Sequence, residues 1–172
     1  MELEDKNIRL RPLHYNDREN LAHLANNKKI WKVLRDVFPH PYTLKDAEGF
    51  IDLVKNHESM VTFAIEYDHE FAGVISLILQ QDVYRKSAET GYWIGEPFWG
   101  KGIATSALGL ITEYGFKELK LNRIFASVFE GNTASCRVLE KCGYKLEGTF
   151  QKAVFKNKKL IDELRFARLS EQ

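Results

Sequence analysis

The sequence predicts an α/β fold in which a mixed central sheet carries helices on both faces. Two observations lead to this prediction. The first half contains segments that alternate like antiparallel strands, and the second half follows the order β-α-β-α-β. With 172 residues, 44% of them hydrophobic, the chain is long enough to bury one core. We therefore expect a single domain that spans residues 1–172.

Hydrophobic spacing defines the individual elements. A period of two predicts strands, and a period of 3.6 predicts helices. Residues 71–79 form a nearly unbroken apolar run, which indicates a strand that is buried on both faces. The predicted strands are 8–13, 61–67, 71–79, 88–94, 123–128, 144–150 and 163–169; helices follow residues 16, 43 and 102 and span 132–142, and 152–159 is an exposed basic turn.

Composition restricts the partners. Twenty-five basic and 24 acidic side chains give a formal net charge of +1, so we expect neither a nucleic-acid surface nor a membrane anchor. The N-terminus lacks a signal-peptide apolar stretch, which favours a cytoplasmic protein. We expect either a monomer or a homodimer. Cys136 and Cys142 are six residues apart on a predicted helix and point to different sides of it. The pattern predicts neither a disulfide nor a metal site.

The most informative segment is the Gly100-Lys101-Gly102 turn, which connects an apolar strand to a long amphipathic helix. The first-turn amides of that helix lack carbonyl partners, and the helix dipole adds partial positive charge at the same end. The two glycines permit backbone angles that aim successive N–H groups into a concave nest, and Lys101 can add a charge. The turn is therefore a candidate site for an anion.

Residue spacing separates the known classes of phosphate loop. Gly95-x-x-x-x-Gly100-Lys101 begins like the loop of nucleoside-triphosphate enzymes, but Gly102 stands where Ser or Thr must bind magnesium. A dinucleotide loop requires a third glycine at the position of Thr105. Both the nucleoside-triphosphate loop and the dinucleotide loop are therefore excluded, because each lacks a residue that its chemistry requires.

The pattern Gly-x-Gly-x-Ala at residues 100–104 resembles the pyrophosphate loop of the GNAT superfamily of acyl-CoA-dependent N-acetyltransferases. The family's usual Gln or Arg three residues before the second glycine is Trp99 here. The resemblance implies acetyl-CoA as the cofactor, with the pantetheine arm beside the preceding strand. The cofactor contacts that it implies in this part of the chain are Tyr92, Trp93, Ile94, Trp99, Gly100, Lys101, Gly102, Ile103, Ala104 and Thr105.

A second motif runs from Asn132 to Tyr144. Asn132 and Ser135 are one helical turn apart and can face the same ligand, although a helix cap and an ordinary first-turn residue also explain them. The motif resembles the second acetyl-CoA-contacting helix of GNAT proteins, specifically of the branch that acetylates ribosomal-protein N-termini, here called Rim-type. The motif adds Asn132, Ser135, Arg137 and Lys141 to the cofactor contacts. Together with further matching segments, the resemblance to the Rim-type branch spans nearly the whole chain.

The resemblance also implies a mechanism in which an amine attacks the thioester directly in a ternary complex. Such a reaction needs a group that accepts a proton and one that donates it. The tyrosine that many GNAT enzymes use as the donor falls at Leu139, so Ser135 is the candidate donor. Glu89, a carboxylate on an otherwise apolar strand, is the candidate base and amine-binding group, with an exposed strand-end charge as the alternative.

The acceptor is less well defined than the cofactor. Residues 39–43 resemble the acceptor-side loop of Rim-type proteins, which implies a protein N-terminal α-amine as the acceptor. A polyamine, an aminoglycoside or an amino-acid-like amine stays open, as does a non-catalytic acyl-CoA-binding module. A peptide site should be an open groove, whereas a polyamine site should be enclosed and rich in carboxylates. The candidate acceptor contacts are Trp31, His40, Tyr42 and Glu89, with packing as the alternative role of Trp31.

Overall fold

A computed structural model describes residues 2–171 of the chain. Within that range, five α-helices surround one sheet of eight strands. The strands are β1 (Leu3–Asp5), β2 (Ile8–Pro12), β3 (Met60–Tyr67), β4 (Glu70–Leu79), β5 (Ser87–Ile94), β6 (Arg123–Phe129), β7 (Lys145–Lys156) and β8 (Lys159–Leu169); the helices are α1 (Arg18–Ala25), α2 (Lys28–Trp31), α3 (Leu44–Asn56), α4 (Ile103–Lys117) and α5 (Thr133–Lys141).

The sheet is mixed, as the sequence predicts. Its strand order is β1-β2-β3-β4-β5-β6-β8-β7, and all neighbours are antiparallel except β5 and β6. The β3–β4 hairpin turns at Asp68 and His69, both with positive φ, as expected for a two-residue hairpin loop. The one parallel pair, β5 and β6, is connected through α4, which crosses one face of the sheet.

Helices cover both faces of the sheet and bury two apolar clusters. One cluster places α4 and α5 against the sheet, with Leu108, Ile111 and Leu139 fully buried. The other places α1 and α3 on the opposite face, with Leu21 and Ile51 fully buried. Strand β4 contributes to both clusters, which confirms the prediction that its apolar run is buried on both sides.

The predicted exposed basic turn at residues 152–159 is only partly right. Strands β7 and β8 continue through this segment and turn only at Asn157 and Lys158. The side chain of Lys156 is 5% exposed because its Nζ contacts Asp36 Oδ1 at 2.6 Å and lies 4.0 Å from the centroid of the Trp31 ring. An ion pair and an aromatic face thus stabilise a charge that the sequence pattern assigned to solvent.

Two short elements, β1 and α2, were not predicted from the sequence. Strand β1 has three residues and α2 has four, so neither contains enough residues to establish a period. Among residues 2–171, no helix combines the length and apolar character needed to cross a bilayer.

Candidate active site

The sheet separates between β5 and β6, and this separation creates the site. The two strands pair only from Ser87 to Glu89, opposite Arg123–Phe125. Beyond that point β6 continues to pair with β8, while the C-terminal half of β5 pairs only with β4. Backbone groups alternate in direction along a strand, and the Lys86 carbonyl accepts from the Arg123 amide on the β6 side. Tyr92 is six residues after Lys86, an even number, so its amide and carbonyl point to the same side and face the gap.

Side chains of β5 alternate between the two faces of the sheet. Tyr92 and Ile94 pack with the cluster that contains α4 and α5. Trp93 packs with the cluster that contains α1 and α3, and Glu89, four residues before it, projects to that same side. Glu89 and Tyr92 are three residues apart and thus lie on opposite faces of one strand.

The turn after β5 forms an open main-chain cradle at the N-terminus of α4. Gly100 and Gly102 both adopt φ +76°, and a Cβ added to either would meet nothing within 4 Å. Gly102 is the N-cap of α4 and supplies no side-chain cap, so the first-turn amides stay available to a ligand. A left-handed glycine before free helical amides is the geometry of an anion nest.

A cleft of about 570 Å³ connects this cradle with the gap between β5 and β6. Four of the described residues that line it are basic and none is acidic, so the cleft favours an anion. The structure brings every predicted cofactor contact to this cleft: Tyr92, Trp93, Ile94, Trp99, Gly100, Lys101, Gly102, Ile103, Ala104, Thr105, Asn132, Ser135, Arg137 and Lys141.

Trp99 has a role that its departure from the family pattern did not indicate. Its indole Nε1 donates to the Ile94 carbonyl at 2.7 Å, so the side chain fastens the turn to the end of β5. The Nζ of Lys101 lies 5.2 Å from the ring centroid of Tyr67 and 5.4 Å from that of Phe98, which holds the charge beside the turn.

Helix α5 forms the opposite wall of the cleft. The Asn132 side chain accepts a hydrogen bond from the Ser135 amide at 3.3 Å, so Asn132 does act as the cap of this helix. The Ser135 hydroxyl contacts the Tyr92 hydroxyl across the cleft at 3.0 Å. Burial raises the pKa of Tyr92 to about 12, although the Ser135 contact works in the other direction.

Leu139, at the position where many GNAT enzymes carry the tyrosine, is fully buried beneath α5. The backbone there directs the side chain into the core shared with α4. This position therefore has a packing role in this chain, and the hydroxyl groups of Tyr92 and Ser135 are among those that line the cleft.

A second cavity, of about 250 Å³, opens on the face of the sheet that carries α1 and α3. Glu89 is the one acidic side chain among its described lining residues, and it is 17% exposed. Arg35 Nη2 donates to Glu89 Oε1 at 2.5 Å from the rim. The remaining walls are mainly apolar and aromatic: Leu21, Val33, Leu34, Val37, Phe38, Tyr42, Phe50, Met60, Val74, Ile78, Trp93 and Phe129.

The candidate acceptor contacts separate into two groups. Tyr42 and Glu89 line the cavity, and burial raises the pKa of Tyr42. Trp31 and His40 line neither the cavity nor the cleft; their ring centroids lie 6.0 Å apart, and Lys156 covers Trp31. The structure thus gives Trp31 a packing role rather than a place in the cavity.

Sequence reasoning missed Arg35 and Lys29. Arg35 reaches Glu89 across 54 positions, and Lys29 lines the cofactor cleft and pairs with Glu96, which also accepts from Asn27 at 2.6 Å. Neither basic residue belongs to a motif, and no local spacing marks them. The carboxylate of Glu89 on β5 indicated only that a basic partner was needed, without indicating which residue supplies it.

A cradle of main-chain amides, a basic cleft in a split sheet and a carboxylate in an adjoining cavity together define a transferase that binds an extended anionic cofactor. Residues 7–145 match the acetyltransferase (GNAT) domain family. The chain belongs to this family, and it is an N-acetyltransferase that uses acetyl-CoA.

The relatives include enzymes with different acceptors. Over 171 residues the chain is 31% identical to the spermidine N(1)-acetyltransferase of Escherichia coli K12, covering 96% of this chain and 87% of that protein. RimJ of Mycobacterium smegmatis, a Rim-type protein solved with CoA-disulfide, superposes with a TM-score of 0.88 at 25% identity, covering 99% and 87%. The microcin C7 self-immunity acetyltransferase MccE, solved with acetyl-CoA and AMP, gives 0.84 at 29%, covering 96% and 94%.

The residues of this chain fit acetyl-CoA. The open cradle at Gly100 and Gly102 has room for a pyrophosphate, and the free edge of β5 at Tyr92 can pair with an amide-containing arm. When bound, acetyl-CoA supplies an acetyl group activated as a thioester. Lys101, Arg137 and Lys141 lie along the same cleft and would neutralise its phosphates.

Gly102→Ala is expected to weaken acetyl-CoA binding about ten-fold or more, measured by titration calorimetry. A Cβ at Gly102 points into the open space of the cradle, where it would displace the pyrophosphate. A residue that leaves the left-handed conformation, which costs an L-residue about 1–2 kcal/mol, would also turn the first-turn amides away from the ligand. Acetyl-pantetheine, which lacks the pyrophosphate, should lose little affinity. The control is Gly109→Ala inside the same helix, where a Cβ also meets nothing and no affinity should be lost. Unchanged binding by Gly102→Ala would show that the turn does not hold the pyrophosphate.

Proposed function

We propose that this enzyme acetylates the N-terminal α-amine of a peptide or protein whose first residue is apolar. The observation that carries this proposal is the cavity beside Glu89, which offers one carboxylate and largely apolar walls. A single α-ammonium needs one carboxylate, and an apolar side chain next to it fills the rest of the cavity. Val37 at the rim is 86% exposed, so the cavity is open to solvent on that side and can admit a chain.

In this proposal Glu89 binds the ammonium and accepts its proton at Oε1 or Oε2. The ammonium replaces the Arg35 guanidinium, which is 58% exposed and can move into solvent without a large desolvation cost. Ser135 Oγ lies on the other face of β5 and holds the proton that is available on the cofactor side. The proton acceptor and the proton donor thus lie on opposite faces of β5.

A second acceptor class, a polyamine, is favoured by the spermidine relative at 31% identity over nearly the whole chain. Spermidine carries several ammonium groups, and each one that is desolvated needs a negative partner. The apolar lining near Glu89 supports this class less well than it supports an α-amine.

Release of free thiol from acetyl-CoA distinguishes the two classes. The acceptors are peptides that begin with Leu, Met, Ala or Asp, together with spermidine and free leucine. We expect kcat/KM to be highest for the Leu and Met peptides and lowest for the Asp peptide, because the cavity has apolar walls. Faster turnover of spermidine than of every peptide would overturn the peptide assignment, and faster turnover of free leucine would move it to amino acids.

A further inference from the structure

Two hydroxyl groups face each other across the cofactor cleft. Tyr92 extends from β5, Ser135 from the first turn of α5, and their oxygens are 3.0 Å apart. Both residues line the cleft, and both are only partly buried. The contact joins segments that are 43 positions apart, so it forms only when α5 docks beside the open half of β5.

Chemistry decides which hydroxyl donates. A phenol is a stronger acid than an aliphatic alcohol and is therefore the better hydrogen-bond donor, while the alcohol oxygen is the better acceptor. Burial raises the pKa of Tyr92 to about 12, so the phenol keeps its proton at neutral pH. When Tyr92 donates to Ser135 Oγ, the Ser135 hydrogen cannot point back at Tyr92 and must be directed elsewhere.

We propose that Tyr92 is a positioning residue that turns the Ser135 hydroxyl hydrogen into the cofactor cleft, where it meets the sulfur of bound CoA. This inference rests on the role proposed for Ser135 and adds the group that orients it. A hydrogen-bond chain of this kind is also cooperative, since donation by Tyr92 polarises the Ser135 hydroxyl and makes it a stronger donor. No proton leaves Tyr92 in this arrangement.

The test compares CoA with desulfo-CoA, which lacks the sulfur, by titration calorimetry at pH 9, where part of the thiol is ionised. We expect the protein to prefer CoA by about ten-fold, the usual effect of a hydrogen bond to a charged group. Tyr92→Phe should abolish most of this preference and leave the affinity for desulfo-CoA unchanged. Ser135→Ala should do the same, and the double variant should lose nothing further, because both residues act through one hydrogen.

Tyr144→Phe is the matched control. Tyr144 makes a similar contact with Thr112, at 2.7 Å, but this pair is buried beneath α4 and lines neither the cleft nor the cavity. Its loss should lower thermal stability without changing the ratio of the two affinities. Tyr92→Phe with an intact preference for CoA would overturn the proposal, and so would an equal loss of affinity for both ligands.

If Tyr92→Phe fails to fold, a retained preference in Ser135→Ala still overturns the proposal, since it excludes a hydrogen bond from Ser135 to sulfur. The measurement uses no acceptor, so an error in the acceptor class cannot produce or hide its result. Steady-state kinetics give an independent readout: Tyr92→Phe should lower kcat and leave the KM for acetyl-CoA close to that of the unmodified protein.

Discussion

Glu89→Gln is expected to lower kcat/KM for the amine acceptor by about 10²- to 10⁴-fold, the range typical of a lost general base. The amide keeps the shape of the side chain but can neither accept the proton nor balance an ammonium charge in a cavity where Glu89 is the one acidic lining residue among those described. Acetyl-CoA affinity should be unchanged, because Glu89 lies on the opposite side of β5 from Tyr92 and outside the cofactor cleft.

Glu147→Gln provides the control for this substitution. Glu147 also pairs with an arginine, Arg123, and its side chain is 40% exposed, but it lines neither the cavity nor the cleft. Its replacement should leave both kinetic parameters unchanged. Normal acceptor kinetics in Glu89→Gln would remove Glu89 from the mechanism and leave it with only its contact to Arg35.

Ser135→Ala is expected to lower kcat by about 10²- to 10³-fold while the Kd for acetyl-CoA changes by less than about three-fold. The hydroxyl is small and its loss opens little space, so the cradle and the basic side chains should still bind the cofactor. The hydrogen bond that the Ser135 amide donates to Asn132 Oδ1 does not involve the hydroxyl, and α5 should remain capped. Stopped-flow turnover and calorimetry on the same preparation measure the two quantities separately.

Ser106→Ala is a suitable comparison, because Ser106 lies in α4 and lines neither the cleft nor the cavity. It should retain full turnover. Unchanged kcat in Ser135→Ala would exclude Ser135 as the donor, and a loss of cofactor affinity in parallel with kcat would make it a binding residue instead.

The cofactor half of the site could be predicted because its parts are local. The turn, its two glycines and the first amides of α4 are consecutive residues, so their geometry follows from a strand that ends and a helix that begins. Asn132 and Ser135 are likewise related by one helical turn. Every predicted cofactor contact consequently reaches the same cleft.

The acceptor half could be predicted only in part. Glu89 became a candidate because a carboxylate stands out on an otherwise apolar strand, but its partner Arg35 is an exposed residue in an irregular segment and carries no pattern. His40 belongs to the segment that resembles an acceptor loop, yet its ring lies beside that of Trp31, and neither residue lines the cavity. Lys156, which the β7–β8 ribbon places over Trp31, is a contact across the fold that no local pattern records.

The sequence by itself determined the fold class, the cofactor and the chemical type of the site, since these depend on periodicity and on motifs of neighbouring residues. Only the tertiary structure decided which groups meet across the gap between β5 and β6. Leu139 enters the core, Tyr92 reaches Ser135, and Arg35 reaches Glu89 because of how α5 and the segment after α2 pack on a sheet that opens after Glu89. Contacts over 43 and 54 positions depend on that packing, and no local spacing records it.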